Sequence, residues 1–180
     1  MTVCIPYFSN QMGLTALLIA LQPQLAPSDD IYIADCSGDR SGLKIARLYG
    51  SSRSYLLVEV DLSTRDQALA SALEHMRKQH QEGILVISEN VVISQTLIAS
   101  IRKASKLTSA ARLIPNAIIT PYPKMPTDFR WFNSHAVVVK DTNIVFDDCY
   151  YFKPGEFGKT AMIANEVVVV LPYKNPQVRP

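Results

Sequence analysis

Short, wholly apolar runs alternate along the first half of the chain with longer segments of helical periodicity. Val3 to Pro6 and Ile31 to Ala34 are uninterrupted runs of the kind found in strands covered on both faces. Between them, Gln11 to Leu21 sets Leu14, Leu17, Leu18 and Leu21 on one helical face. Ser41 to Tyr49 predicts a short helix closed by Gly50, and Tyr55 to Val60 a third strand. Thr64 to Gln79 predicts a helix with Ala68, Leu69, Ala72, Leu73 and Met76 on one side and Glu74, Arg77 and Lys78 on the other. Gly83 to Ile87 and Gln95 to Leu107 continue the rhythm as strand and helix. Such alternation predicts a mainly parallel sheet flanked by helices on both faces.

Beyond residue 110 the rhythm changes to a mixed C-terminal portion. Arg112 to Thr120 reads as a strand that Pro115 makes an edge strand or a broken one, because proline gives the ladder no N–H. Prolines 121, 123 and 126 mark Pro121 to Arg130 as the expected flexible loop. His135 to Lys140 reads as a strand, Gly158 to Ala164 as a short helix and Val167 to Leu171 as a buried strand. A chain of 180 residues that is 48% hydrophobic fills one substantial core but not two ordinary ones. The expected organisation is a single domain over 1–172, with halves 1–110 and 111–172 and a polar tail at 173–180.

The net charge of +2 comes from scattered Lys and Arg, so no electrostatic footprint for nucleic acid stands out, while a small anionic ligand is compatible with it. No apolar run reaches the ~18 to 20 residues that cross a bilayer. The N-terminus has no basic-then-apolar leader, and the expected compartment is the cytoplasm. Cys4, Cys36 and Cys149 lack the paired spacing of a zinc site and read as reduced, mostly buried thiols.

The most informative stretch is Ile31 to Gly38, where an apolar strand ends on Asp35 and dissolves into Cys36, Ser37 and Gly38. Carboxyl ends of strands in an open α/β sheet face the crevice where ligands bind, so Asp35 is either a ligand contact or the cap of the next helix. Ser88, Glu89 and Asn90 pose the same choice before a helix beginning near Ser94. Asp147, Asp148 and Glu156 are loop carboxylates, in a turn or at a reacting centre. His135 reads as a hydrogen-bonded structural residue, and Trp131, Tyr150 and Tyr151 as core residues or a stacking platform for a sugar or base. Arg65, Lys124 and Arg130 sit in or near loops where a phosphate could reach them. Neither a Gly-any-Gly fingerprint nor a Gly-Lys-Ser/Thr loop is present.

Taken in order, these segments resemble the GT-A glycosyltransferases, in particular the family 2 nucleotide-sugar transferases. Val3-Cys4-Ile5-Pro6-Tyr7-Phe8-Ser9 is similar to the family's first strand with its Pro, aromatic and Asn, with Ser9 or Asn10 in place of the Asn. Ile33 to Gly38 resembles the strand ending in the family's Asp, and Cys36 departs at the next position. Ile84 to Ser94 has the cadence of the strand that ends in the metal-binding Asp-any-Asp. Phe146 to Phe157 resembles the Phe-Asp-Glu segment and the later Gly-Glu-Asp that supplies the base, with Val167 to Pro172 in the place of the strand that follows.

The resemblance implies a GT-A-like, Rossmann-like fold and a nucleotide-diphosphate sugar as donor for an unknown acceptor. It implies that Pro6, Tyr7, Phe8 and Ser9 line the nucleoside pocket, that Asp35 holds the base and that Ser88 and Glu89 lie near the diphosphate. Mg²⁺ or Mn²⁺ would fall to Asn90 and Glu89, although Asn90 brings an uncharged amide where hard cations favour a carboxylate. Phe157 occupies the base position and accepts no proton, which leaves Glu156 or Asp148 for that role. These departures keep open a second reading, a GT-A-like module that binds or assembles without catalysis. An unrelated doubly wound nucleotide-binding protein is a third.

Overall fold

A computed structural model describes residues 1–49, 55–59, 73, 74, 76, 83–108, 112–119, 137–138, 149–152 and 160–170. The N-terminal half runs β1 (Thr2–Tyr7), α1 (Gln11–Leu21), β2 (Asp30–Asp35), α2 (Ser41–Tyr49), β3 (Tyr55–Glu59), β4 (Ile84–Ile87), β5 (Val91–Val92) and α3 (Leu97–Leu107). Then follow β6 (Arg112–Ile119), β7 (Val137–Val138), β8 (Cys149–Phe152) and β9 (Thr160–Val170). Of the helix expected over 64–79, residues 73, 74 and 76 are described and are helical. The loop expected at 121–130 and the tail at 173–180 lie outside the described residues.

The described strands form one sheet in the order β3-β2-β1-β4-β8-β6-β9-β5, with β7 beside β6. β3, β2, β1 and β4 are parallel, whereas β8 is antiparallel to β4 and β6. Burial on both faces explains the apolar runs. Val3, Ile5 and Tyr7 of β1 enter the core beneath α1, α2 and α3, as do Ile31 and Ile33 of β2 and Leu85 and Ile87 of β4. The residues between them, Cys4, Tyr32, Ala34, Ile84 and Val86, pack on the opposite face with Met76. Period-two alternation thus sorts two apolar sets to two helix layers.

α1 is capped by Asn10, whose side chain accepts from the Gly13 N–H at 2.9 Å. α3 is capped from a distance. Thr96 makes no capping bond, and Gln24, just past α1, accepts from the Ile98 N–H at 3.2 Å while donating to the Ala20 and Ser94 carbonyls at 2.9 Å.

The mixed half corrects one expectation. Residues 160–164, expected to be helical, are strand: Thr160, Ala161, Met162 and Ile163 pair in parallel with Arg112 to Pro115. Pairing with a preformed neighbour overrides the weak local preference of Ala-Met-Ile-Ala. The break expected at Pro115 is present in the pairing: β8 lies beside β6 only at Arg112 and Leu113 and β7 only at Ile118 and Ile119, and on the β9 side Pro115 faces Ile163 while Asn116 faces Val167, so β9 passes residues 164–166 without a partner on β6. From β4 the sheet continues through β8, β6 and β9 to β5, and β5 follows β4 in the chain after residues 88–90. That turn therefore joins the middle of the sheet to its far end.

Candidate functional site at the switch point

β2 lies on one side of β1 and β4 on the other, so the order of the strands reverses at β1, and the carboxyl ends of β1 and β4 are where open α/β sheets of this kind form their ligand crevice. Three expected segments meet there: Pro6 to Asn10 at and just past the end of β1, Asp35 at the end of β2, and Ser88 to Asn90 after β4. The Glu89 carboxylate accepts from the Phe8 N–H at 3.1 Å, and Asn10 Nδ2 donates to Asn90 Oδ1 at 2.6 Å. The Val91 N–H bonds the Ser88 carbonyl at 3.1 Å and closes a turn, and the Glu89 and Asn90 side chains both reach the β1–α1 loop. Close approach is built in at Gly13, where a Cβ would run into the Glu89 carbonyl.

Asp35 continues the Ile31, Ile33 alternation and faces α2. Its Oδ2 accepts from the Leu43 N–H at 3.0 Å, and its Oδ1 accepts from the Ser37 N–H and hydroxyl at 3.0 and 2.6 Å. The capping reading of Asp35 is thus realised, and a ligand hydrogen bond would have to use a remaining lone pair. Gly42 permits this arrangement, because a Cβ there would stand 2.7 Å from both Asp35 Oδ2 and Tyr7 Cδ1. Tyr7 also pairs with the Ser41 hydroxyl at 2.8 Å. The 36–40 loop holds Gly38 at φ 72° and, less usually, Arg40 at φ 57°.

The crevice is acidic. Burial first, and then the charges of Asp35 and Glu89, push the Cys36 thiol up to about 11. Burial and the charges of Asp35, Asp39 and Glu89 also raise Tyr7 above its ordinary value, against a lowering bond to Ser41. Asp39 is pulled the other way, to about 2, mainly by hydrogen bonds from the Ser41 and Ser37 side chains.

Phe8 is half-buried and Ser9 exposed, whereas Pro6, Tyr7, Asp35, Ser88, Glu89 and Asn90 are buried. The Ser88–Asn90 segment fits Mg²⁺ or Mn²⁺ poorly: it brings a single carboxylate, Glu89, one oxygen of which is bonded to Phe8, and the Asn90 amide oxygen accepts from Asn10. Among the described residues no group of three or more His, Cys, Asp or Glu is placed to hold a metal ion. Asp148 and Glu156 lie outside the described residues, as do His135, Trp131, Arg65, Lys124 and Arg130. Tyr151 is a core residue whose ring fills the space that a Gly83 side chain would occupy. Ser37, Asp39, Ser41, Gly13 and Gly42 shape the site and were not singled out from sequence. The Ser and Asp positions between a strand end and a helix carry a capping signal that would have found three of them.

No family model matches the chain, and no curated protein sequence matches it significantly. Solved structures do. S. aureus TarS 1–349 superposes with a TM-score of 0.55 at 15% identity over 69% of this chain and 37% of TarS. The fold is GT-A-like. TarS in complex with UDP gives a TM-score of 0.53 at 16% identity, and TarS in complex with UDP-GlcNAc gives 0.51 at 15%. This chain covers 69% of itself in both matches, and 37% and 36% of those chains, so it spans a little over a third of the TarS chains that it matches.

Proposed function

We propose that the protein binds a nucleotide-diphosphate sugar at the switch-point crevice and transfers the sugar to an acceptor. The observation that carries the reading is the convergence of the β1–α1 loop, Asp35 and the Ser88–Asn90 turn on the one edge where open α/β sheets take ligands. The UDP and UDP-GlcNAc complexes of TarS, a fold neighbour, support a uridine nucleotide as the first ligand to try. Ser9 and Phe8 would meet the nucleoside, with Asp35 holding the loop beneath the base. Asp148 or Glu156 would serve as the base toward the acceptor.

Because Glu89 Oε1 and Asn90 Oδ1 are engaged within the protein, a second reading has its own support: a module that holds the nucleotide sugar without catalysis. Calorimetry with UDP and a panel of nucleotide sugars tests the shared binding step, with Ser9→Trp as the blocking variant. Heat of binding that Ser9→Trp abolishes supports both readings, and no binding to any member of the panel refutes both. Hydrolysis or transfer from a bound donor, lost in Glu156→Gln or Asp148→Asn, selects the transferase. We further infer that binding needs no divalent ion, so affinity for UDP should be unchanged by EDTA. A tenfold loss on chelation would refute that inference.

A further inference from the structure

α1, α2 and α3 form one layer over the sheet, and their inner sides share a single apolar core. Their outer sides carry Met12, Ile19, Leu48, Tyr49 and Leu107, exposed by 75, 53, 78, 40 and 76%. Single exposed apolar residues are ordinary, but five of them on one helix layer make that layer a candidate docking face. The charges of the layer are equally one-sided. α1 has none, α2 has Lys44 and Arg47, α3 has Arg102, Lys103 and Lys106, and no Asp or Glu occurs in any of the three. Arg102 turns toward the buried Asp29, whereas Lys44, Arg47, Lys103 and Lys106 are exposed.

We propose that this helix layer docks peripherally on an anionic lipid surface, with Met12, Ile19, Leu48 and Leu107 entering the headgroup region and the lysines and arginine meeting lipid phosphates. Charge complementarity selects an anionic occupant, and a second copy of the same face would set cation against cation. The apolar groups are mostly aliphatic, which suits acyl chains and gives nucleic-acid bases little to stack on. They are also spread over three helices and not gathered into one pocket, as a protein anchor would be. No helix among the described residues is long and apolar enough to cross a membrane, so the contact is with the surface. This docking does not depend on nucleotide binding.

The test is co-sedimentation of the full chain with vesicles of phosphatidylcholine alone and of phosphatidylcholine mixed with phosphatidylglycerol. Binding is expected to the mixed vesicles, to fall with added salt, and to weaken about fivefold for each of Lys44→Gln and Arg47→Gln. The pair Leu48→Ser and Leu107→Ser should abolish it with an unchanged unfolding midpoint, since both side chains are exposed. Equal binding to neutral vesicles, no binding to either, or binding that these variants leave intact would overturn the proposal. So would a dimer that Leu48→Ser disperses without any uptake onto vesicles, or binding to single-stranded RNA in place of vesicles.

Discussion

Asp35 shows how one carboxylate can serve both architecture and recognition. Three donors converge on it, so Asp35→Asn turns an NH₂ toward at least one of them, and the expected cost is roughly 1–3 kcal/mol in urea unfolding. Gly42→Ala should cost about as much, roughly 1–3 kcal/mol, because its Cβ cannot fit between Asp35 and Tyr7 without moving one of them. Cys36 offers a direct probe of the crevice. With its thiol pushed up to about 11 by burial and by the charges of Asp35 and Glu89, it should react slowly with iodoacetamide at pH 8 and faster as the pH rises. Glu89→Gln removes one of those charges and should speed the reaction, as read by mass spectrometry. The Asp35 and Glu89 positions were legible in sequence as strand-end carboxylates. Their partners were not, because a hydrogen bond across 81 residues, such as Phe8 to Glu89, leaves no local pattern.

Among the elements, the N-terminal helices and strands were readable because each is specified by its own periodicity and caps. The C-terminal strands are specified by their neighbours, and there the local reading failed at residues 160–164, which became strand through β6, while the break expected at Pro115 took the form of a stretch of β9 that skips pairing. Long-range devices also hold the helices. Gln24→Leu should lower stability by about 1 kcal/mol or more, since it uncaps α3 and releases two carbonyls at once. Asp29 ties the turn before β2 to α3. Burial alone would raise its carboxyl, but the Ala26 N–H and Arg102 help to outweigh that and hold it below the ordinary value. A lowered folded value contributes stability that is present above the unfolded value of about 4 and lost as pH falls through the folded one. Asp29→Asn should therefore flatten the loss of stability below about pH 4, as followed by thermal unfolding.

At the scale of the molecule, one sheet unites a parallel portion read from its rhythm with a mixed portion read only in part. The GT-A-like order and the location of the crevice follow from the first, and the positions expected to act on an acceptor belong to the second. The turn at residues 88–90 connects them, with β4 paired to β1 and β8 on one side and β5 paired to β9 on the other. A floor pinned at both ends can receive a ligand but cannot fold around it. In stopped-flow mixing, the observed association rate for a nucleotide should accordingly rise in proportion to its concentration, without the plateau that a slow closing step of this floor would impose.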